Sequence, residues 1–485
     1  MSLVELSVDP GIWPVGLDAD PYLGPLAHCA ATDLSVPLAD GSRRRYVNLD
    51  VAASAPCLSS VEAVVHDAQR WYSSVHRGAG FASAVSTEAL AESRRIIARF
   101  VGARPDDAVV ITRNTTDALN LLAAVLPRDT TVVTYASEHH ANLLAWRDLD
   151  PLVLPVPGSA DDAVEALDRA LASLRSVSPA RPLLAAVTGA SNVPGEVWPI
   201  RRLAAVAHRH GARIVVDAAQ LAPHRRVELA SNELDYVAIS GHKLYAPFGA
   251  GALIGRADWL DAGEPYLAGG GAVRLVTEDR VDWTTGPARH EAGTPNVLGA
   301  IAFAAACLDL ERLGAAEVRR HESVLSDRLR RGLRRIPGVT TYVSWEDPSA
   351  AQDAAGATST VERIGVVLCN LDGWHHGLLA AVLSAEHGIG VRDGAFCAHR
   401  LVAALVGDRG DAVRVTTDEH PGAVRISVGV TTSIDDVDRL LGALRTIGER
   451  GAAFDYELRD GRHVLVDDGR VAPDLFASVR SPTHW

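Results

Sequence analysis

Between Asp107 and Gly255 the chain alternates short apolar runs with segments of helical spacing, and no other feature constrains its fold as strongly. "DAVVIT", "TVVTYA", "PLLAAVTG", "ARIVVDAA", "DYVAIS" and "GALIG" read as strands. "TTDALNLLAAVL", "HANLLAWRDL" and "IRRLAAVAHRHG" read as helices between them. Apolar strands separated by helices, and not by tight turns, cross over one sheet in the same direction. The sheet is then mainly parallel and covered on both faces.

The expected architecture is therefore α/β. An irregular arm, 1–45, precedes a large domain, 46–296, built on a mainly parallel seven-stranded sheet. Two long amphipathic helices then open a smaller α+β domain, 297–450, joined by part of the N-terminal segment. Residues 451–485 carry two Asp-Gly turn signals between alternating apolar residues and read as an appended hairpin.

A net charge of −13 argues against a nucleic-acid or anionic-membrane surface. The sequence has no apolar run long enough to cross a bilayer, and its first twenty residues lack the basic and apolar regions of a secretory signal. The five cysteines are scattered, with no CxxC spacing, so neither a disulfide framework nor a structural metal site is expected, and a reducing cytoplasm is the default.

In an open parallel sheet, ligands bind beyond the carboxyl ends of the strands. After "VVIT", Thr115 and Thr116 open a helix, which suits either an anion cradle or a plain N-cap. After "TVVTYA", His139 and His140 suit a ring-stacking or proton-moving role, or simple loop polarity. After "ARIVV", Asp217 needs a cationic partner if buried, with Gln220 three residues on; an Asp capping the following helix is the competing reading.

After "DYVAIS" come Ser240, Gly241, His242 and Lys243. Lys243 is the sole lysine of the chain, beside 46 arginines. Arginine replaces lysine in most surface roles, but its guanidinium stays protonated and cannot form an imine, which requires a primary amine. A lysine left by chance would rarely fall at a strand end after Ser-Gly-His. An imine-forming lysine, an anion cradle, an acidic partner for a ring nitrogen and a stacking histidine together describe a site for pyridoxal 5'-phosphate (PLP).

The motifs "VNLDVAASAP", "TRNTTDALN", "SEHHANLLAW", "SNVPG", "VVDAAQLAPH", "SGHKLYAPFGAGALIG", "EAGTPN" and "VRDGAFCAHRL" follow one another as in class V aminotransferase-fold enzymes. Over roughly residues 46–447 the chain most resembles cysteine desulfurases of the SUF-associated type (group II), which are related to selenocysteine lyase. The resemblance implies a PLP-dependent transferase of fold type I. It implies that Lys243 holds the cofactor as a Schiff base, Asp217 the ring nitrogen and Gln220 the phenolic oxygen. It further implies that His139 stacks on the ring, and that Thr115, Thr116, Ser240 and His242 hold the phosphate. Thr294 would reach that phosphate from the partner subunit of a homodimer. Asn192 and Arg425 would face the carboxylate of an amino-acid substrate, with Arg392 on the wall.

Cys397 would take the sulfur as a persulfide, its thiolate favoured by Arg392, His399 and Arg400, and a sulfur-acceptor protein would follow. The competing reading of Cys397 is a small apolar filler. Three departures bear on the reaction. The family's histidines before the cysteine are absent from "DGAFCAHRL", Thr431-Thr432 replace Tyr-Asn after Arg425, and the stretch at 406–422 is longer. The alternative activities are a C–S lyase, an epimerase or an aminotransferase on the same scaffold.

Overall fold

A computed structural model describes residues 23–76, 78–346, 361–407 and 421–477. The first 22 residues of the expected N-terminal arm, most of the long stretch at 406–422 and the end of the C-terminal extension lie outside the described residues.

All six apolar runs read as strands belong to one seven-stranded sheet. Its order is Asp107–Thr112, Gly251–Arg256, Tyr236–Ser240, Arg213–Asp217, Leu183–Thr188, Thr131–Tyr135, Leu152–Leu154. The last five of these pair in parallel, and Gly251–Arg256 runs antiparallel to both of its neighbours. The seventh strand, Leu152–Leu154, lies at the edge between Pro151 and Pro155, where missing backbone donors are tolerated. Three residues are too few to show a period.

The strands are apolar throughout because both faces are covered. Val109, Ile111, Val133, Ala185, Val187, Ile214, Val216, Val237 and Ile239 enter one core. The intervening Val110, Val132, Leu184, Ala186, Val215 and Ala238 enter another on the opposite face. The period of two thus sorts the side chains without placing any of them in water.

The helix Val297–Leu313 is buried nearly all round, from Val297 and Ala300 through Phe303 and Cys307 to Leu310, and packs in the large core. Grouping it with the small domain follows chain order; its apolar circumference explains its true place. The change of core falls within the next helix, Ala315–Arg334, which Gly314 opens at a φ of 81°: Val318 still enters the large core, and Leu325, Leu329 and Leu333 enter a second one. The second core lies under a four-stranded antiparallel sheet, ordered Val339–Tyr342, Val366–Leu371, Ala423–Ser427, Arg392–Gly394. Residues 47–48 pair with 389–390, which ties the N-terminal segment to this unit before it enters the site.

The hairpin Tyr456–Arg459 with Arg462–Leu465 turns on Asp460 and Gly461, both at positive φ. That is the backbone an Asp-Gly pair favours. Tyr456 Oη donates to Glu386 Oε1 at 3.0 Å, fixing the hairpin to the helix His376–His387. Among the described residues no helix is long and apolar enough to cross a membrane.

Gly251 opens the antiparallel strand where it passes the start of the helix Thr115–Val125. A Cβ there would stand 2.7 Å from Asn114 Cα and 2.7 Å from Ile239 O, both backbone. Gly251→Ala is expected to lower the unfolding free energy by about 1–3 kcal/mol, as overpacking does. A denaturant melt checks it; an unchanged midpoint would show that the two strands part freely.

Candidate active site

The parallel strands end at a cavity of about 250 Å³. Twelve of the thirteen residues expected at the site line it, Lys243, Asp217, Cys397 and Arg425 among them. The exception is Thr294, which is exposed in the turn before Val297–Leu313 and lies off its own chain's cavity.

At one end of the cavity, the side chain of Asn114 accepts from Asp117 N at 3.0 Å and so caps the helix Thr115–Val125. Asn114 therefore does the capping that Thr115 or Thr116 might have done, and the two threonines remain for other work. Thr115 N donates to Ser240 Oγ at 2.8 Å, and the two hydroxyls lie 2.8 Å apart. Hydroxyls and first-turn N–H groups at a helix N-terminus form an anion-binding end. His242 lines the same cavity, and burial, with Lys243 beside it, pulls its imidazole down to about 4.

Asp217, at the end of its strand and buried, lines the same cavity. Ala219 N donates to its Oδ1 at 3.0 Å. The backbone after it forms a turn and no helix, so the helix-cap reading fails. Burial raises the carboxyl, and Lys243 and the Ala219 N–H oppose the rise. Gln220 is held by its Nε2, which donates to Ala52 O at 2.6 Å.

Lys243 closes the single turn Gly241–Lys243 that follows Tyr236–Ser240. Burial pulls its amine down to about 8, with Asp217 pulling the other way. His139 caps the short helix His140–Leu144 through Nδ1, which accepts from Ala141 N at 3.0 Å, so the neutral ring carries its proton on Nε2. Burial, then Lys243, lowers that imidazole to about 3.

The third wall comes from the small domain. Arg392 and Arg425 are register partners on adjacent strands. Arg425 is buried; its Nη2 donates to Asp50 Oδ1 at 3.0 Å and its Nη1 to Asn192 O at 3.1 Å. Asn192 Nδ2 donates to Phe396 O at 2.9 Å, and His140 N to Cys397 O at 2.7 Å. Phe396 and Cys397 are both left-handed, with φ of 52° and 54°. Cys397 is exposed, whereas Cys307 and Cys369 are buried, and burial pushes the Cys369 thiol up to about 12. The filler reading thus suits Cys307 and Cys369, and fails for Cys397.

Two contributors were not expected. Glu138, directly before His139, is buried and pushed up to about 8 by burial. Its Oε1 accepts from Thr188 N and its Oε2 from Asn142 Nδ2, both at 2.9 Å. It thereby ties the His139 turn to the strand end that pairs with Asp217. Asp50, within "VNLDVAASAP", is the ion partner of Arg425. Asp50, between Leu49 and Val51, is an acid flanked by apolar residues, a signal that could have found it; Glu138, between Ser137 and His139, carries no such signal.

Residues 47–440 match the family model of class V aminotransferases. The probable cysteine desulfurase of Vibrio cholerae is 33% identical over 410 residues, covering 82% of this chain and 92% of that protein. The cysteine desulfurase of Pectobacterium carotovorum is 33% identical over 416 residues, with the same shares. Among solved structures, the apo cysteine desulfurase of Thermococcus onnurineus matches with a TM-score of 0.70 and 30% identity, over 83% of this chain and 95% of that one. The cysteine desulfurase CsdA of Escherichia coli matches with a TM-score of 0.68 and 28% identity, over the same shares. On its sheet order, its strand-end residues and these matches, the chain belongs to the class V aminotransferase family of PLP-dependent enzymes.

Proposed function

We propose that the chain is a cysteine desulfurase, converting L-cysteine to L-alanine with the sulfur taken by Cys397. The observation that carries this reading is one cavity lined by both Lys243 and an exposed cysteine thiol. The donor set of the cavity fits PLP. It offers hydroxyls and helix N–H groups, a buried carboxylate, and an amine close enough to Asp217 for each to act on the other's ionisation.

When bound, PLP supplies a carbonyl for an imine and an electron sink for a substrate carbanion. Thr115, Thr116, Ser240 and His242 hold its phosphate. Asp217 keeps the ring nitrogen protonated, Gln220 meets the phenolic oxygen and His139 covers the ring. Arg425 and Asn192 orient the substrate's carboxylate, with Arg392 beside them. The Lys243 amine, once released, moves the α-proton. The Cys397 thiolate then attacks the substrate's sulfur. The Sγ–S bond forms as the Cβ–S bond breaks and its electron pair stays with carbon; a proton added at Cβ and the return of the α-proton to Cα complete L-alanine.

Thr294 serves the partner's site in a homodimer, in keeping with its place off its own cavity. The SUF-associated type is supported by "SEHHANLLAW" and by the "VRDGAFCAHRL" loop. The exposure of Cys397 supports a protein acceptor for the persulfide. A reducing cytoplasm suits an exposed thiol.

Incubation with L-cysteine tests the reaction. L-alanine and protein-bound persulfide in equal amounts are expected; pyruvate and ammonia in place of alanine would make the enzyme a C–S lyase. Cofactor loading has its own pH dependence. Imine formation needs the neutral amine, and burial moves the Lys243 amine from 10.5 to about 8. Reconstitution of apoenzyme with PLP, followed by absorbance, is expected to quicken as pH rises through about 8. A rate still climbing steeply towards pH 10 would mean an ordinary lysine.

A further inference from the structure

The guanidinium of Arg425 is engaged at two positions by its own chain. Nη2 donates to Asp50 Oδ1 at 3.0 Å and Nη1 to Asn192 O at 3.1 Å. Nε is enclosed with no acceptor. The Arg425 side chain is only 4% exposed, yet it lines the cavity. Asp50 binds through one oxygen, a single-point contact and not the two-point fork that arginine and carboxylate form at their strongest. A second carboxylate on this guanidinium would lie beside the first, and two like charges in a low-dielectric site repel.

The backbone of Asp50 is fixed. It bridges to Ser427, its N–H donates to Asn48 Oδ1 at 3.0 Å, and Ala52 N donates to Ser427 Oγ at 3.0 Å. Only the Asp50 side chain, 24% exposed, is free to leave. Burial raises its carboxyl, opposed first by Arg425 and then by Arg392, so its charge is already disfavoured there.

We propose that Asp50 is a positioning and specificity residue that holds the place of the substrate's carboxylate on Arg425 and is displaced from it when the substrate binds. This rests on the assignment of Arg425 as the carboxylate ligand. The displaced anion lets a buried arginine remain paired between turnovers, and it sets a threshold that a ligand without a carboxylate gains nothing by crossing.

Calorimetry on the holoenzyme with L-alanine and L-alaninamide tests it, because the two differ only at the carboxylate. Asp50→Asn is expected to tighten L-alanine binding about tenfold, the loss of a modest like-charge competition, and to leave alaninamide unchanged. Asp50→Ser, which also removes the charge, is expected to do the same and serves if the asparagine variant does not fold. Weaker or unchanged L-alanine binding in both would show that Asp50 only orients Arg425 and would overturn the proposal. An equal change for both ligands would reveal a general structural effect and would overturn it too. Arg425→Lys separates the underlying assignment. If that variant binds L-alanine as tightly as the parent, Arg425 is not the carboxylate ligand, and the placeholder role falls with it.

Discussion

Replacing Lys243 by alanine is expected to abolish turnover of L-cysteine, by at least about 10³-fold, and to remove the absorbance of the lysine–cofactor imine. The loss combines the covalent anchor with an acid–base group, and acid–base groups alone contribute about 10²–10⁴-fold. The more telling variant is Lys243→Arg. This chain uses arginine at every other basic position, so arginine is the replacement its own composition favours. At this position it should fail as completely as alanine, because a guanidinium does not deprotonate. Neither variant removes a packing group from the two main cores, so the melting temperature of the apoenzyme should hold. Turnover above a hundredth of the parent's in either variant would overturn the reading of the whole site.

Cys397→Ala is expected to eliminate protein-bound persulfide and to lower alanine production from L-cysteine by at least about 10²-fold, while the cofactor absorbance stays intact. Cys397 is the one exposed member of five free cysteines, and it lines the cavity that also holds Lys243. Cys29 and Cys57, half-buried, lie against Thr32 and Leu58 respectively and do not line that cavity. Parent-like alanine production in the variant would sink the persulfide route. Alanine production with intact absorbance but persulfide on another cysteine would relocate it.

The legible part of the fold was the part governed by period. Strands buried on both faces show as unbroken apolar runs, and their carboxyl ends point to the site. That is why Thr115, Asp217, Ser240 and Lys243 were readable from order alone. Leu152–Leu154 was not, because three residues between prolines carry no period. Asp50 and Arg425 are 375 residues apart in the chain, so their pairing exists only once the small domain closes over the N-terminal segment. Glu138 stands next to His139 and so hides in plain sight. Its role depends on a bond to Thr188, 50 residues on, which no local pattern announces.

The left-handed pair Phe396-Cys397 carries a mechanical consequence. Each such residue costs of order 1–3 kcal/mol unless its surroundings enforce it. Two backbone carbonyls are tied down in return, one by Asn192 and one by His140, at about 1 kcal/mol each. Summed over both residues, a strain of about 2–6 kcal/mol equals or exceeds the roughly 2 kcal/mol that the two bonds return. What keeps the thiol aimed inward is then the burial of a single ring, Phe396, 6% exposed with the Arg425 guanidinium 5.2 Å from its centre. The cysteine sits on a latch that its own two hydrogen bonds at most balance. One aromatic plug holds the latch shut, and the residue that plug leans on is the one proposed to receive the substrate.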